Sequence, residues 1–404
     1  MIIKIHQKYY DLSNFVKIHP GGEKILESCE GIDATNAFES YHVFSDINKI
    51  KKIMKIYECS NPPYEIESVD STFNKNDFYD CLKTKVKKYF NNKSTKWTYP
   101  WIFTFISTFS IYSVTFLYTF LGIHEPFTYR VISSIISGAS LMSWMLQGLH
   151  DATHSAVSKY KIINTTISHI GSGLALWDWT TWLKHHCVLH HSFTGNYKLD
   201  PDMRHSHPFF KKSEKSKANK FKSLTSITTI VSFIPGIYFG QIISYFTVQI
   251  KKKLWGFTIN KTKTNIEWFI IITQLIMMYY GGSIILVMLY LLTLNISYSI
   301  SILPDHDQLE TKLNSKQNTM DWGEMQVRHS GNFAADNIYF TRLHGGINYQ
   351  IEHHLFPSLC SWHLPAISNI VRETCIEHDI KYISNPSIIN SYKSAIYNLY
   401  LINN

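Results

Sequence analysis

Two stretches of this chain, residues 97–122 and 131–149, contain no Asp, Glu, Lys or Arg. Nothing else in the sequence limits its fold as tightly. Roughly 20 apolar residues cross a bilayer core of roughly 30 Å, and inside lipid the backbone must satisfy its own hydrogen bonds, so such stretches are helices. Spans at 98–122 and 131–149 leave a loop at 123–130, too short for anything but an antiparallel hairpin. A third apolar stretch, 266–303, would make about 57 Å of helix, roughly two core thicknesses. Gly281-Gly282 falls where that second hairpin would turn. Residues 224–250 are broken by Pro235-Gly236 and followed by Lys251-Lys252-Lys253. A crossing there would leave the lysines on the lumenal side, against the cytoplasmic preference of basic residues, so an interfacial or re-entrant placement is expected. Four transmembrane helices then put both termini and every histidine cluster on the cytosolic face.

The 404 residues carry a formal charge of +9, which alone would suit a nucleic-acid partner. The positives, however, lie beside the apolar stretches. Lys83, Lys85, Lys87, Lys88, Lys93 and Lys96 precede the first, and Lys211, Lys212, Lys215, Lys217, Lys220 and Lys222 follow the central histidines. That is the pattern of membrane orientation, and no nucleic acid is expected. Six cysteines (Cys29, Cys59, Cys81, Cys187, Cys360 and Cys375) without a CxxC pair argue against a disulfide framework or zinc finger and fit a reducing, cytosol-facing protein. The first residues lack the apolar core of a signal peptide, which leaves targeting to the first span. The chain divides into a polar module at 1–60, a linker with an amphipathic approach helix at 61–97, and a mostly α-helical polytopic membrane region at 98–404 with a histidine-rich cap. Within the last, 162–183, with Trp177, Trp179 and Trp182, reads as an interfacial helix.

In the polar module, His19-Pro20-Gly21-Gly22 is followed by Gly31-Ile32-Asp33-Ala34-Thr35 and by Tyr41-His42. Haem iron takes axial ligands from opposite faces of the porphyrin, and two imidazoles can supply both. His19 and His42 are the candidates; His6 reads as solvated surface. The stretch from Tyr10 to His42 resembles cytochrome b5, with Asp11, Phe15, His19, Gly31, Asp33 and His42 matching its fingerprint in order. The resemblance implies a small α+β fold, bis-histidine haem b and one-electron transfer.

Three further clusters carry the chemistry: His150-xxx-His154, His186-xxx-His190-His191 and Gln350-xx-His353-His354. On a helix, residues four apart share a face, and all three clusters adjoin apolar stretches, where polar residues are expensive and usually functional. Imidazole suits iron, copper, zinc and nickel. Three clusters hold too many ligands for one tetrahedral ion, so two metals are the natural count.

The pattern resembles the membrane fatty-acid desaturases, specifically the front-end group with an N-terminal cytochrome b5. Gly345-Gly346-Ile347-Asn348-Tyr349-Gln350 running into Ile351-Glu352-His353-His354-Leu355-Phe356-Pro357 is the most specific part, with Gln350 where other desaturases have histidine. Trp182, Thr194, Asn196 and Asp200-Pro201-Asp202 fit the second box. The resemblance implies two non-haem irons held by His150, His154, His186, His190, His191, His353 and His354. It also implies an extra ligand at the cytosolic end of the last span, for which His306 is the candidate. Gln350 is expected to bind weakly, through water, or as an orienting group for the metal of His353 and His354. His185 falls outside the box spacing, His344 is placed to hydrogen-bond near the third box, and His329 and His363 read as ordinary polar residues. Gly345-Gly346 suit either an anion-binding nest or close helix approach.

The implied activity is O2-dependent insertion of a cis double bond into a polyunsaturated acyl chain carried on coenzyme A or phospholipid. An NADH-dependent cytochrome b5 reductase would recharge the haem in the endoplasmic reticulum membrane. The second box looks more like enzymes acting at carbon 4 or 5 than at carbon 6. A sphingolipid desaturase or hydroxylase on the same scaffold, and a catalytically silent membrane haem electron carrier, are the alternative readings.

Overall fold

The computed structural model describes residues 1–68, 73, 77–204, 211–215, 236–254, 257–259, 264–311 and 320–404. Lys217, Lys220, Lys222 and most of the first half of 224–250 lie outside them.

The chain opens with an antiparallel hairpin, β1 (Ile2–Ile5) and β2 (Lys8–Asp11), in register from Ile2↔Asp11 to Ile5↔Lys8. Its two connecting residues, His6 and Gln7, both have positive φ, 48° and 65°, the turn whose twist matches that of the strands. His6 is thus a turn residue, with Nε2 2.9 Å from Glu39. β3 (Glu58–Cys59) adds to the other edge of β2, and α1 (Glu23–Ser28), α2 (Thr35–Tyr41) and α3 (Ile47–Tyr57) complete the module. Ile3, Ile5, Tyr10 and Leu12 form its core, and Val188, from far along the chain, is buried in the same cluster. The module is therefore seated on the rest of the protein.

α4 (Phe78–Tyr89) buries Phe78, Tyr79, Leu82 and Val86 against the C-terminal cap. Thr98 caps α5 (Tyr99–Leu121) by accepting from Trp101 N, and α6 (Phe127–Trp144) returns beside it. The second span begins four residues earlier than 131, and Arg130, taken from the sequence as loop, lies buried inside it. The reason is a local exchange of partners. Its guanidinium donates to the Thr119 carbonyl at 2.9 Å and the Gly281 carbonyl at 2.8 Å, acceptors that helix ends leave over.

α6 continues through a π-helical turn, Met145–Leu149, into α7 (His150–Thr153). α8 (Lys161–Leu174) and α9 (Trp179–Trp182) lead to a second π-helical run, Leu183–His190, and α10 (His191–Phe193). α11 (Ile237–Lys251) starts just after Pro235-Gly236 and ends at a short antiparallel pair, β4 (Lys253–Leu254) with β5 (Phe257–Thr258). α12 (Asn265–Tyr280) and α13 (Ile284–Asp307) are joined by a turn at Gly281-Gly282, but they pack on different neighbours, α12 on α8 and α13 on α6, rather than on each other as the expected hairpin would. α13 packs on the small-residue face of α6, where Ser134 donates to the Leu286 carbonyl at 2.6 Å. Among the described residues three helices are long and apolar enough to cross a membrane: Tyr99–Leu121, Phe127–Thr153 and Ile284–Asp307. The 16 residues of α12 fall short by length.

The cap comprises α14 (Trp322–His329), α15 (Ile338–Leu343), α16 (Gln350–Leu355), α17 (Leu364–Glu377) and α18 (Ile388–Asn403). A parallel pair, β6 (Asn332–Phe333) with β7 (Ser384–Asn385), ties it together.

Candidate metal and haem sites

His19 and His42 of the N-terminal module are both held as neutral donors. Nδ1 of His19 donates to the Gly22 carbonyl at 3.0 Å and Nδ1 of His42 to the Phe38 carbonyl at 2.9 Å. A carbonyl only accepts, so each Nε2 keeps its lone pair. Their ring centroids are 6.3 Å apart, room for one ion about 2 Å from each nitrogen. Burial pulls the His19 imidazole down to about 4 and lowers His42 as well, outweighing the backbone acceptors. A Cβ at Gly21 would sit 2.8 Å from His19 Cε1, so this glycine makes room for the ring. These residues fit a bis-histidine haem.

The seven histidines of the three boxes, together with His306, gather between the C-terminal ends of α6 and α13 and the cap. Nitrogens of His150, His154, His186 and His353 lie within 4.8 Å of one another; those of His190, His306 and His354 form a second such group. Each box but the first serves both groups, and the local helix type explains how. In an α-helix a residue five positions on is turned about 140° away. The π-helical run brings it back, so His191 Nε2 lies 3.3 Å from His186 Nε2. His191 stands between the groups, its ring stacked on His354 at 4.2 Å. His190 faces the second group, with Nε2 3.2 Å from His306 Nε2.

On α16, His353 joins the first group and His354 the second. Gln350 was expected beside the metal of both; one turn before His354, it joins only the second, its amide 2.9 Å from His306 Nε2.

Second partners fix the tautomers. Nδ1 of His190 donates to Asp200 at 3.1 Å, Nδ1 of His306 to the His329 carbonyl at 2.8 Å, and Nδ1 of His354 to Gln326 Oε1 at 2.9 Å. Each Nε2 is left to face the group as a lone pair: those of His190 and His306 point at each other, and the Gln350 amide also approaches His306 Nε2. Two buried lone pairs at 3.2 Å repel unless a cation or proton lies between them. Among the described residues His353 Nε2 and His354 Nε2 are buried with no hydrogen-bond partner. In the first group, His150 Nε2 faces His186 Nε2 at 3.1 Å, and Trp182 stacks on His186 at 4.3 Å and 7°. Burial first, then the crowd of imidazoles, holds His186, His191, His353 and His354 well below the ordinary histidine value. His190 alone is raised: burial opposes its charge, but Asp202 and Asp200 prevail. The donor set fits two metal ions.

Other expectations are corrected. His344 does not reach the third box; Nδ1 donates to the Phe340 carbonyl at 2.9 Å and the ring stacks on Phe340. His329, read as ordinary, supplies the carbonyl that orients His306. Gly345 and Gly346 have positive φ, and a Cβ at Gly345 would lie 2.4 Å from the Leu146 carbonyl oxygen. This is close backbone approach to the first box rather than a nest. Asp151 locks that contact, accepting from Trp101 Nε1 at 3.0 Å and Ser361 Oγ at 2.8 Å. Sequence reasoning missed Gln326 and Tyr41; Tyr41 reaches His154 Nδ1 at 2.6 Å, and only its place next to His42 pointed to it. A cavity opens on the same histidines. Met142, Leu146, Leu149 and Trp177 are among its apolar lining residues, and Asp202, Lys212 and Gln241 among its polar ones.

The profile of the family described as "Fatty acid desaturase" matches residues 126–386, well over half the chain. The chain belongs to the fatty acid desaturase family. Residues 1–60 match the "Cytochrome b5-like Heme/Steroid binding domain", so this desaturase carries a haem domain and a di-iron type of histidine site on one polypeptide. It is similar over its whole length to "Acyl-lipid (8-3)-desaturase B" of Dictyostelium discoideum, 25% identical and covering 91% of that protein. "Delta(5) fatty acid desaturase A" of the same organism is 24% identical over 100% of this chain and 90% of its own length. "Acyl-lipid (8-3)-desaturase" of Mortierella alpina is 24% identical over 99% and 93%.

Proposed function

We propose that this desaturase is a front-end enzyme that introduces a cis double bond at carbon 5 of a polyunsaturated, lipid-linked acyl chain, using O2 and electrons passed through its own haem domain. The observation that carries the proposal is the convergence of two groups of lone-pair imidazoles at the ends of apolar helices. In this reading residues 1–60 bind haem b through His19 and His42, residues 61–97 connect, and residues 98–404 form the desaturase domain. His150, His154, His186 and His353 hold one iron, and His190, His306 and His354 the other. His191 stands between them and Gln350 beside the second.

Bound iron supplies the oxidant for removing two hydrogens from unactivated methylenes, which no side chain can provide. The protein's own residues do the rest. Asp200, Gln326 and the His329 carbonyl keep Nδ1 protonated and Nε2 available. The apolar side chains of Met142, Leu146, Leu149 and Trp177 receive the acyl chain and exclude water. The names of the relatives favour a lipid-linked chain and carbon 5. An NADH-dependent cytochrome b5 reductase recharges the haem.

Yeast expressing the chain and fed acids already unsaturated from carbon 8 provides the test. A new double bond at carbon 5, located by mass spectrometry of the methyl esters, is the expected result. A hydroxylated product, a modified sphingoid base, or no product would sink the reading.

The proposal includes four crossings in the endoplasmic reticulum membrane, α12 being the fourth, with α11 interfacial and the histidines cytosolic. A glycosylation acceptor inserted at 252–264 is then expected to stay unmodified in microsomes, while one in a lengthened 122–126 loop is modified. Glycan on the first would show that α11 crosses.

A further inference from the structure

Tyr41 leaves the haem domain at the residue just before His42 and enters the metal centre. Its hydroxyl lies 2.6 Å from His154 Nδ1, with the two rings 13° from parallel. The same hydroxyl lies 3.4 Å from the Cys187 carbonyl. The carbonyl can only accept, so Tyr41 donates to Cys187 and accepts from His154 N–H. His154 Nε2 is thereby left as a lone pair toward its group. Residues of the desaturase domain perform this task for His190, His306 and His354; for His154 the partner comes from the haem domain. The seating is firm: Asn36 Nδ2 donates to the Ser192 carbonyl at 2.6 Å, Val188 completes the haem-domain core, and the Tyr41 ring packs among Trp179, Leu183 and Cys187.

We propose that Tyr41 is the electron coupling between the haem and the metal centre, resting on the function proposed above. It is one peptide bond from the axial ligand His42 and one hydrogen bond from His154. Electron tunnelling decays less steeply along bonds and hydrogen bonds than across van der Waals gaps. Among the described residues, the Tyr41–His154 hydrogen bond is the one between the two domains that ends on a box histidine's ring. Each passage takes one electron from ferrous haem, leaving it ferric, and reduces one ferric ion of the metal centre to ferrous. Tyr41 is neither oxidised nor deprotonated, and the electron comes from NADH by way of the reductase.

Tyr41→Phe keeps the ring and its packing and removes the hydroxyl. The full-length holoenzyme, reduced by NADH and reductase without oxygen, is mixed with oxygen and lipid substrate while haem absorbance is followed. Haem reoxidation is expected to slow severalfold, because the hydrogen bond that joins the two domains at His154 is lost. Iron and haem per chain should stay at wild-type levels. The ratio of NADH-driven to dithionite-driven product formation should fall by the same factor. Wild-type haem reoxidation in the variant would overturn the proposal. So would loss of iron, or an equal fall in both modes of turnover, since either would make Tyr41 a support of the metal site alone. Absence of product from the wild-type chain with either reductant would instead overturn the proposed function.

Discussion

Replacing His306 by alanine is expected to cut bound iron from about two ions per chain to about one and to abolish desaturation, while leaving haem unchanged. His306 supplies one of three nitrogens in the second group, aimed there by the His329 carbonyl at 2.8 Å. What remains is His190, His354 and the Gln350 amide, a poorer donor than imidazole. Changes to residues behind a metal ligand already cost about 10–100-fold, and losing a ligand costs more. The first group keeps all four of its histidines, so its ion stays. Metal analysis beside product analysis checks this; a variant that keeps both irons and its activity would remove His306 from the site.

The second large effect is at the other cofactor. His19→Ala is expected to eliminate the reduced-haem absorbance and NADH-driven turnover, with iron content unchanged and dithionite-driven product still formed. In the proposed arrangement haem would be held between His19 and His42, whose ring centroids are 6.3 Å apart, and His42 alone could not hold it from both sides. With burial holding the His19 imidazole down to about 4, the wild-type ring is neutral and ready to bind iron across the physiological range. Loss of iron along with haem would mean that the two domains do not bind their cofactors independently.

The parts of this molecule that were legible in the sequence are those whose signal is local. His150 and His154 sit four apart at the end of an uncharged stretch, and the turn at Gly281-Gly282 is written in a pair of glycines. Arg130 shows where that reading fails. A charge was taken to end a span because its partners, the Thr119 and Gly281 carbonyls, are distant in sequence or belong to another helix end. The division of the boxes between two groups was hidden for another reason. It depends on a π-helical run that turns His191 onto His186, and nothing in the letters distinguishes that run from an α-helix. Gln326 and Tyr41 act across 28 and 113 positions, so only the folded chain brings them to His354 and His154. Gly345 was noticed but left between two roles, because its clash partner is the backbone of Leu146, nearly 200 positions earlier.

The central claim is that one polypeptide holds two irons in two histidine groups and one haem in its N-terminal domain. Elemental analysis of the purified full-length protein, with haem measured by its reduced absorbance on the same sample, tests it most directly. The account predicts about two non-haem irons and about one haem per chain. Haem with no non-haem iron, a single metal ion, or zinc in place of iron would contradict it.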